Sequence, residues 1–141
     1  MSLFIILAVI GLVGYIRFSP ADVLRWHALP QDIWTVTTSW DEVVRRREGA
    51  TLRLSQVRGD AANLLEKLDL VATTSPRTVR FAGDVTSGKI TWITRSALWG
   101  FPDFTTAEIP PDGLYVYARL RFGNSDMGVN FARLSQWLTA L

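Results

Sequence analysis

From Leu3 to Ile16 every residue is apolar, glycine or tyrosine, and Arg17 breaks the run before Phe18. A helix with no polar side must either be buried all round or sit in an apolar phase. Adding Met1, Ser2, a snorkelling Arg17 and Phe18 gives about 27 Å of helix at ~1.5 Å per residue. A bilayer core is ~30 Å thick, and a small mismatch costs little. No basic segment precedes the run and no A-x-A-like site follows it, which argues against a cleaved leader. Residues 1–18 are therefore expected to form a single transmembrane anchor. Arg17 and Arg25 follow it, a charge bias that favours a cytoplasmic position for the rest of the chain.

Pro20 ends the first helix and pushes Ser19 toward an extended conformation. Residues 19–49 are expected to form a juxtamembrane linker region. It carries Trp26, Trp34 and Trp40, half of the six tryptophans. With Arg17, Trp26 and Trp34 have two open roles: side chains at the membrane interface, or cover for the edge of a folded core. Ser39-Trp40-Asp41-Glu42 fits a capping box, with Gly49 as a stop, so a short helix carrying Arg45-Arg46-Arg47 is expected there. Those arginines are read as a solvated surface, with contact to anionic lipid headgroups as the alternative.

Residues 50–141 are expected to form a small α+β domain. Thr51 to Ser55 alternates in the manner of a half-buried strand. Asp60 caps a helix with Ala61, Leu64, Leu65 and Leu68 on one face, and Pro76 closes that segment. Strands are expected over Thr78–Phe81, Lys89–Thr94, Phe104–Ile109 and Leu114–Phe122. A last helix follows Ser125 or Asp126, with Met127, Phe131, Leu134, Leu138 and Leu141 as its apolar stripe. The order β-α-β-β-β-β-α predicts an antiparallel sheet with helices packed on one face. Leu52, Leu54, Val79, Phe81, Leu114, Val116, Ala118 and Leu120 would meet those helices. The opposite face would be basic and aromatic.

Charged residues make up 20% of the chain and apolar ones 48%, enough for a core. A net charge of +2 with no basic–aromatic tract gives no sign of nucleic-acid binding. There is no cysteine, and His27 is the single histidine, which leaves no zinc motif, no thiol chemistry and no G-x-S-x-G elbow. No catalytic, metal or cofactor-binding residue can be assigned, and the balance leans away from an enzyme. The one dense polar constellation comprises Arg95, Asp103, Arg119, Arg121, Asp126 and Arg133. Arg119 and Arg121 share a strand face and Asp126 opens a helix, so an arginine fork to Asp126 or Asp103 would fasten strand to helix. The alternative is an anion site built from Arg95, Arg119 and Arg121.

Several stretches carry a family resemblance: Trp26-His27, Thr74-Ser75-Pro76-Arg77, the run Thr94 to Asp103, and Arg119 to Asn130 with Arg133. On these the chain resembles an uncharacterised bacterial membrane-anchored family, domain of unknown function family 1499. The resemblance implies a tethered domain at the inner membrane, more often periplasmic than cytoplasmic, and supplies no catalytic residues. Residues and resemblance together lead to an expected accessory or scaffolding subunit of a larger inner-membrane complex. Its partners would be integral-membrane proteins. A tethered domain that binds a small amphiphile, a lipid headgroup or an anion is the second expectation, and a hydrolase the third.

Overall fold

In the computed structural model, residues 2–34 and 39–141 are described. The architecture is α+β around one six-stranded antiparallel sheet. Helix α1 (Ser2–Phe18) and the single turn α2 (Val23–Trp26) precede β1 (Val43–Arg45) and β2 (Gly49–Ser55). Then come α3 (Ala61–Thr74), β3 (Thr78–Asp84), β4 (Lys89–Arg95), β5 (Pro102–Glu108), β6 (Gly113–Leu120) and α4 (Val129–Thr139). Strand order is β1-β2-β6-β5-β4-β3. The last four strands form a meander, so each pairs with its chain neighbour and hairpin turns suffice to join them.

One face of the sheet packs on α3 and α4. Leu52, Leu54, Ile90, Trp92, Leu114 and Val116 are fully buried there, against Leu64, Leu65 and Leu68 of α3 and Leu134 and Trp137 of α4. Asp60 caps α3 by accepting from the Asn63 amide at 3.3 Å. Trp137 is anchored at its polar edge, donating to Ser75 Oγ at 2.9 Å.

The transmembrane expectation for residues 1–18 is corrected by the structure: among the described residues, no helix is long and apolar enough to cross a membrane. Met1 lies outside the described residues. The physical reason lies at the C-terminal end of α1, which belongs to the folded domain. Ile16 is buried, and the Arg17 guanidinium packs over Gly100. Only Leu3 to Tyr15 remains free, about 20 Å at ~1.5 Å per residue. From Leu3 to Leu12 the side chains are exposed on every side, Phe4 at 78% and Ile10 at 62%, and Val13 and Gly14 are partly covered.

The expected helix at Ser39–Gly49 is instead the edge strand β1, giving six strands rather than five. Asp41 explains the difference. Its carboxylate accepts from the Ser55 amide at 2.9 Å and Ser55 Oγ at 2.6 Å, and faces Arg58 at 3.4 Å. Tying Asp41 across to β2 holds this stretch beside that strand rather than in a local helix turn, and β-branched Val43 and Val44 suit a strand.

Strand β3 also presents the opposite face from the one expected. Val79 is exposed, and Phe81 meets Phe104 on the far side of the sheet, ring centroids 5.3 Å apart. Arg80 turns toward α3 and pairs with Asp69, whose carboxylate also accepts from Trp92 Nε1 at 2.9 Å. A bulge between Arg80 and Ala82 resets the register beyond this point. In α4 the buried positions are Asn130, Leu134 and Trp137, while Met127 lies outside the helix and exposed.

Candidate functional site

The second face of the sheet is covered by residues between Ser19 and Trp34. Trp26 stacks on Phe104 with ring centroids 4.4 Å apart, and Trp34 lies on Tyr115 at 4.6 Å. Both tryptophans therefore cover the sheet, one of the two roles open to them from sequence. His27 Nδ1 lies 2.8 Å from Thr91 Oγ1. Burial, then the charge of Lys89, pushes the His27 pKa down. Its ring packs so closely over Gly83 that a β-carbon there would come within 2.7 Å of it. The linker expectation for 19–49 includes residues 35–38, which lie outside the described ones.

Arg119 is the clasp for this strap. Only 7% exposed, it donates to the carbonyls of Trp26 (2.7 Å), Ala28 (3.3 Å) and Tyr117 (3.2 Å), and to Thr106 Oγ1 (3.2 Å). Its guanidinium also lies 5.4 Å from the Trp26 ring centroid and 5.0 Å from that of Tyr117. Burial without a carboxylate brings its pKa down to about 10. Tyr117 is displaced the other way, pushed up to about 12 by burial and by Glu48, which accepts from its hydroxyl at 3.1 Å.

The polar constellation seen in sequence divides into two clusters on opposite faces. On the helix side, Arg133 of α4 pairs with Asp103 of β5 at 3.4 Å, and Asn130 Nδ2 donates to the same carboxylate oxygen at 3.2 Å. Arg133 also donates to Asn130 Oδ1. Asp126 holds the start of α4, accepting from the Gly128 and Asn130 amides, each at 2.9 Å. Strand and helix are fastened here by Arg133. Arg119 and Arg121 meet neither carboxylate. Burial raises the Asp103 pKa despite Arg133, and lowers that of Arg133 despite Asp103. Beside this cluster runs a groove of about 510 Å³ lined by Arg77, Thr94, Arg133, Gln136 and Trp137 among others.

On the strap side, Arg121 donates to the carbonyls of Ser19 (2.8 Å) and Pro20 (2.6 Å) and to Ser19 Oγ (3.2 Å). Arg95 donates to the Gly100 carbonyl at 3.0 Å. Arg17 closes over the same glycine, so three guanidinium groups gather at the root of α1. From sequence, Arg17 is expected only as a snorkelling side chain at a membrane interface. What brings it here is the loop Ser96–Phe101, closed by Ser96 N to Phe101 O (2.9 Å) and Phe101 N to Ser96 Oγ (3.0 Å). No sequence signal marks that approach except Gly100 itself.

Gly100 has φ of +70°, and a β-carbon there would lie 2.7 Å from Arg17 Nη1. Gly100→Ala is therefore expected to cost about 1–2 kcal/mol, a combination of backbone strain and displacement of Arg17. A thermal melt of the variant beside the native chain measures it.

Among the described residues, no group of three or more His, Asp or Glu side chains is placed to hold a metal ion. A family model described as a protein of unknown function (DUF1499) matches residues 32–141. No curated protein and no solved structure matches the chain.

Proposed function

The chain belongs to the DUF1499 family, and we propose that it works as a non-catalytic accessory subunit, attached through α1 to a larger membrane assembly. The observation that carries this reading is the character of α1. It is apolar on all sides, and from Leu3 to Leu12 its own domain leaves it largely uncovered. A helix built to lie on a surface has one polar face. A helix without one needs apolar contact all round, which a cleft between the helices of an integral-membrane partner supplies. Its free length, about 20 Å at ~1.5 Å per residue, suits bedding among such helices without crossing the bilayer. The domain then stands at the rim of the partner. The periplasmic side of the inner membrane is the location that accompanies this reading.

The test is native purification of the full chain in mild detergent, followed by mass spectrometry. A stoichiometric membrane-protein partner is expected with the native chain. It should be lost from a full-length variant carrying Ile6→Glu and Ile10→Glu, two exposed positions whose change should leave the melting temperature unaltered. Recovery of the native chain alone, or equal capture by protein-free phosphatidylcholine vesicles, would remove the partner reading.

A further inference from the structure

We infer that Arg17, Arg95 and Arg121 form a binding site for a phosphate group, free or as the headgroup of an anionic amphiphile. The inference does not depend on what covers α1. It starts from strand placement. Arg95 ends β4 opposite Pro102 of β5, and Arg121 directly follows Leu120, which pairs with Asp103. The two arginines thus flank Pro102 on one face, about two strand spacings or roughly 10 Å apart at the backbone. Arg17 descends from α1 onto Gly100 between the loop and the sheet.

None of the three takes part in any ion pair found among the described residues; those pairs join Arg58–Asp41, Arg80–Asp69, Lys89–Glu108 and Arg133–Asp103. Arg95 and Arg121 instead donate to carbonyls and one hydroxyl, groups that orient a guanidinium without neutralising it, and Arg121 also lies 4.9 Å from the Phe122 ring centroid. The electrostatics agree: the Arg95 pKa is pushed down first by burial, then by Arg17 and by Arg121. Like charges held together by backbone hydrogen bonds repel unless an anion joins them, and guanidinium forks match phosphate oxygens in charge and geometry. The surroundings add an amphiphilic signature. Phe18 (79% exposed) directly follows Arg17, and Leu98 (78%) and an exposed Trp99 directly precede Gly100, a sequence suited to acyl or glycerol carbons next to a bound phosphate.

Melting of the full chain in a nonionic detergent tests this. Inorganic phosphate is titrated at constant ionic strength in one arm. In the other, the micelles are doped with phosphatidylglycerol or, as control, phosphatidylcholine. Near-saturating ligand should raise the melting temperature by a few degrees. A shift with inorganic phosphate identifies free phosphate as sufficient; one with phosphatidylglycerol alone identifies a headgroup. Arg17→Gln and Arg95→Gln should each weaken the response about tenfold or more. Without ligand, Arg17→Gln should melt at the native temperature or slightly above it, because one repulsive charge is gone. Absence of any shift in the native chain overturns the site. So does a native-like response in both variants, or a lower ligand-free melting temperature for Arg17→Gln.

Discussion

Arg119→Met is expected to lower the melting temperature by about 10 °C or more, at a cost of ~3–5 kcal/mol from four charge-assisted hydrogen bonds lost together. The side chain holds four acceptors at once, three of them carbonyls of the strap or of β6, and it is buried among them. Methionine fills much of the volume but leaves the Ala28 carbonyl without the Arg119 donor, while Trp26 keeps only its bond from Thr106 Oγ1 at 3.0 Å. Arg119→Lys is expected to recover little, since an ammonium cannot fork between two carbonyls while lying flat on Trp26. Limited proteolysis locates the damage: cleavage should appear first between Ser19 and Trp34. A variant that loses stability without exposing that segment would show that Arg119 acts within the sheet alone.

Arg133→Met is expected to cost ~3–5 kcal/mol at neutral pH, because it strands the Asp103 carboxylate in a buried position. Asn130 Nδ2 would be the donor left to it among its present partners. The loss depends on pH, and its sign follows from the direction of the Asp103 shift. Its folded pKa is already raised, so the native state binds the proton more tightly than the unfolded chain does. Stability from that group is present below the unfolded value of ~3.9 and is lost as pH rises through the folded pKa. Removing Arg133 raises the folded pKa further and widens the window. Denaturant melts should therefore show a small difference near pH 4 and the full one near pH 7. The double variant Arg133→Gln with Asp103→Asn should lose much less than the two single changes summed, since neither buried charge remains. An additive result would show that the pair, 3.4 Å apart, is not coupled.

Much of the sheet was legible because antiparallel strands with one helix-covered face alternate in sequence. The runs around Leu52 to Leu54 and Leu114 to Ala118 are of this kind. The α3 cap was legible because an Asp before an apolar periodic segment acts locally. Legibility failed where a side chain answers to a remote partner. Ser39 and Glu42 have the spacing of a capping box, yet Asp41 between them bonds Ser55 on the neighbouring strand. Arg80 reads as surface and Val79 as core, yet a carboxylate on α3 reverses them. Asn130 reads as the polar side of α4, yet it is fully buried because Asp103 and Arg133 satisfy its amide.

The arginine constellation divides along the same line. That Arg119 and Arg121 share a face followed from the two-residue period of a strand, which is a property of the backbone. Sequence likewise settled the antiparallel α+β class, the placement of α3 and the apolar character of α1, because each depends on neighbours within a few residues. Tertiary structure alone decided that Arg133 and not Arg121 reaches Asp103. It also decided that the strap from Ser19 to Trp34 covers the aromatic face, and that the last turn of α1 belongs to the domain. These outcomes join residues as much as a hundred positions apart, such as Arg121 and Ser19. Where several acceptors of equal chemistry compete for one guanidinium, distance in the folded chain chooses among them, and no local pattern encodes that distance.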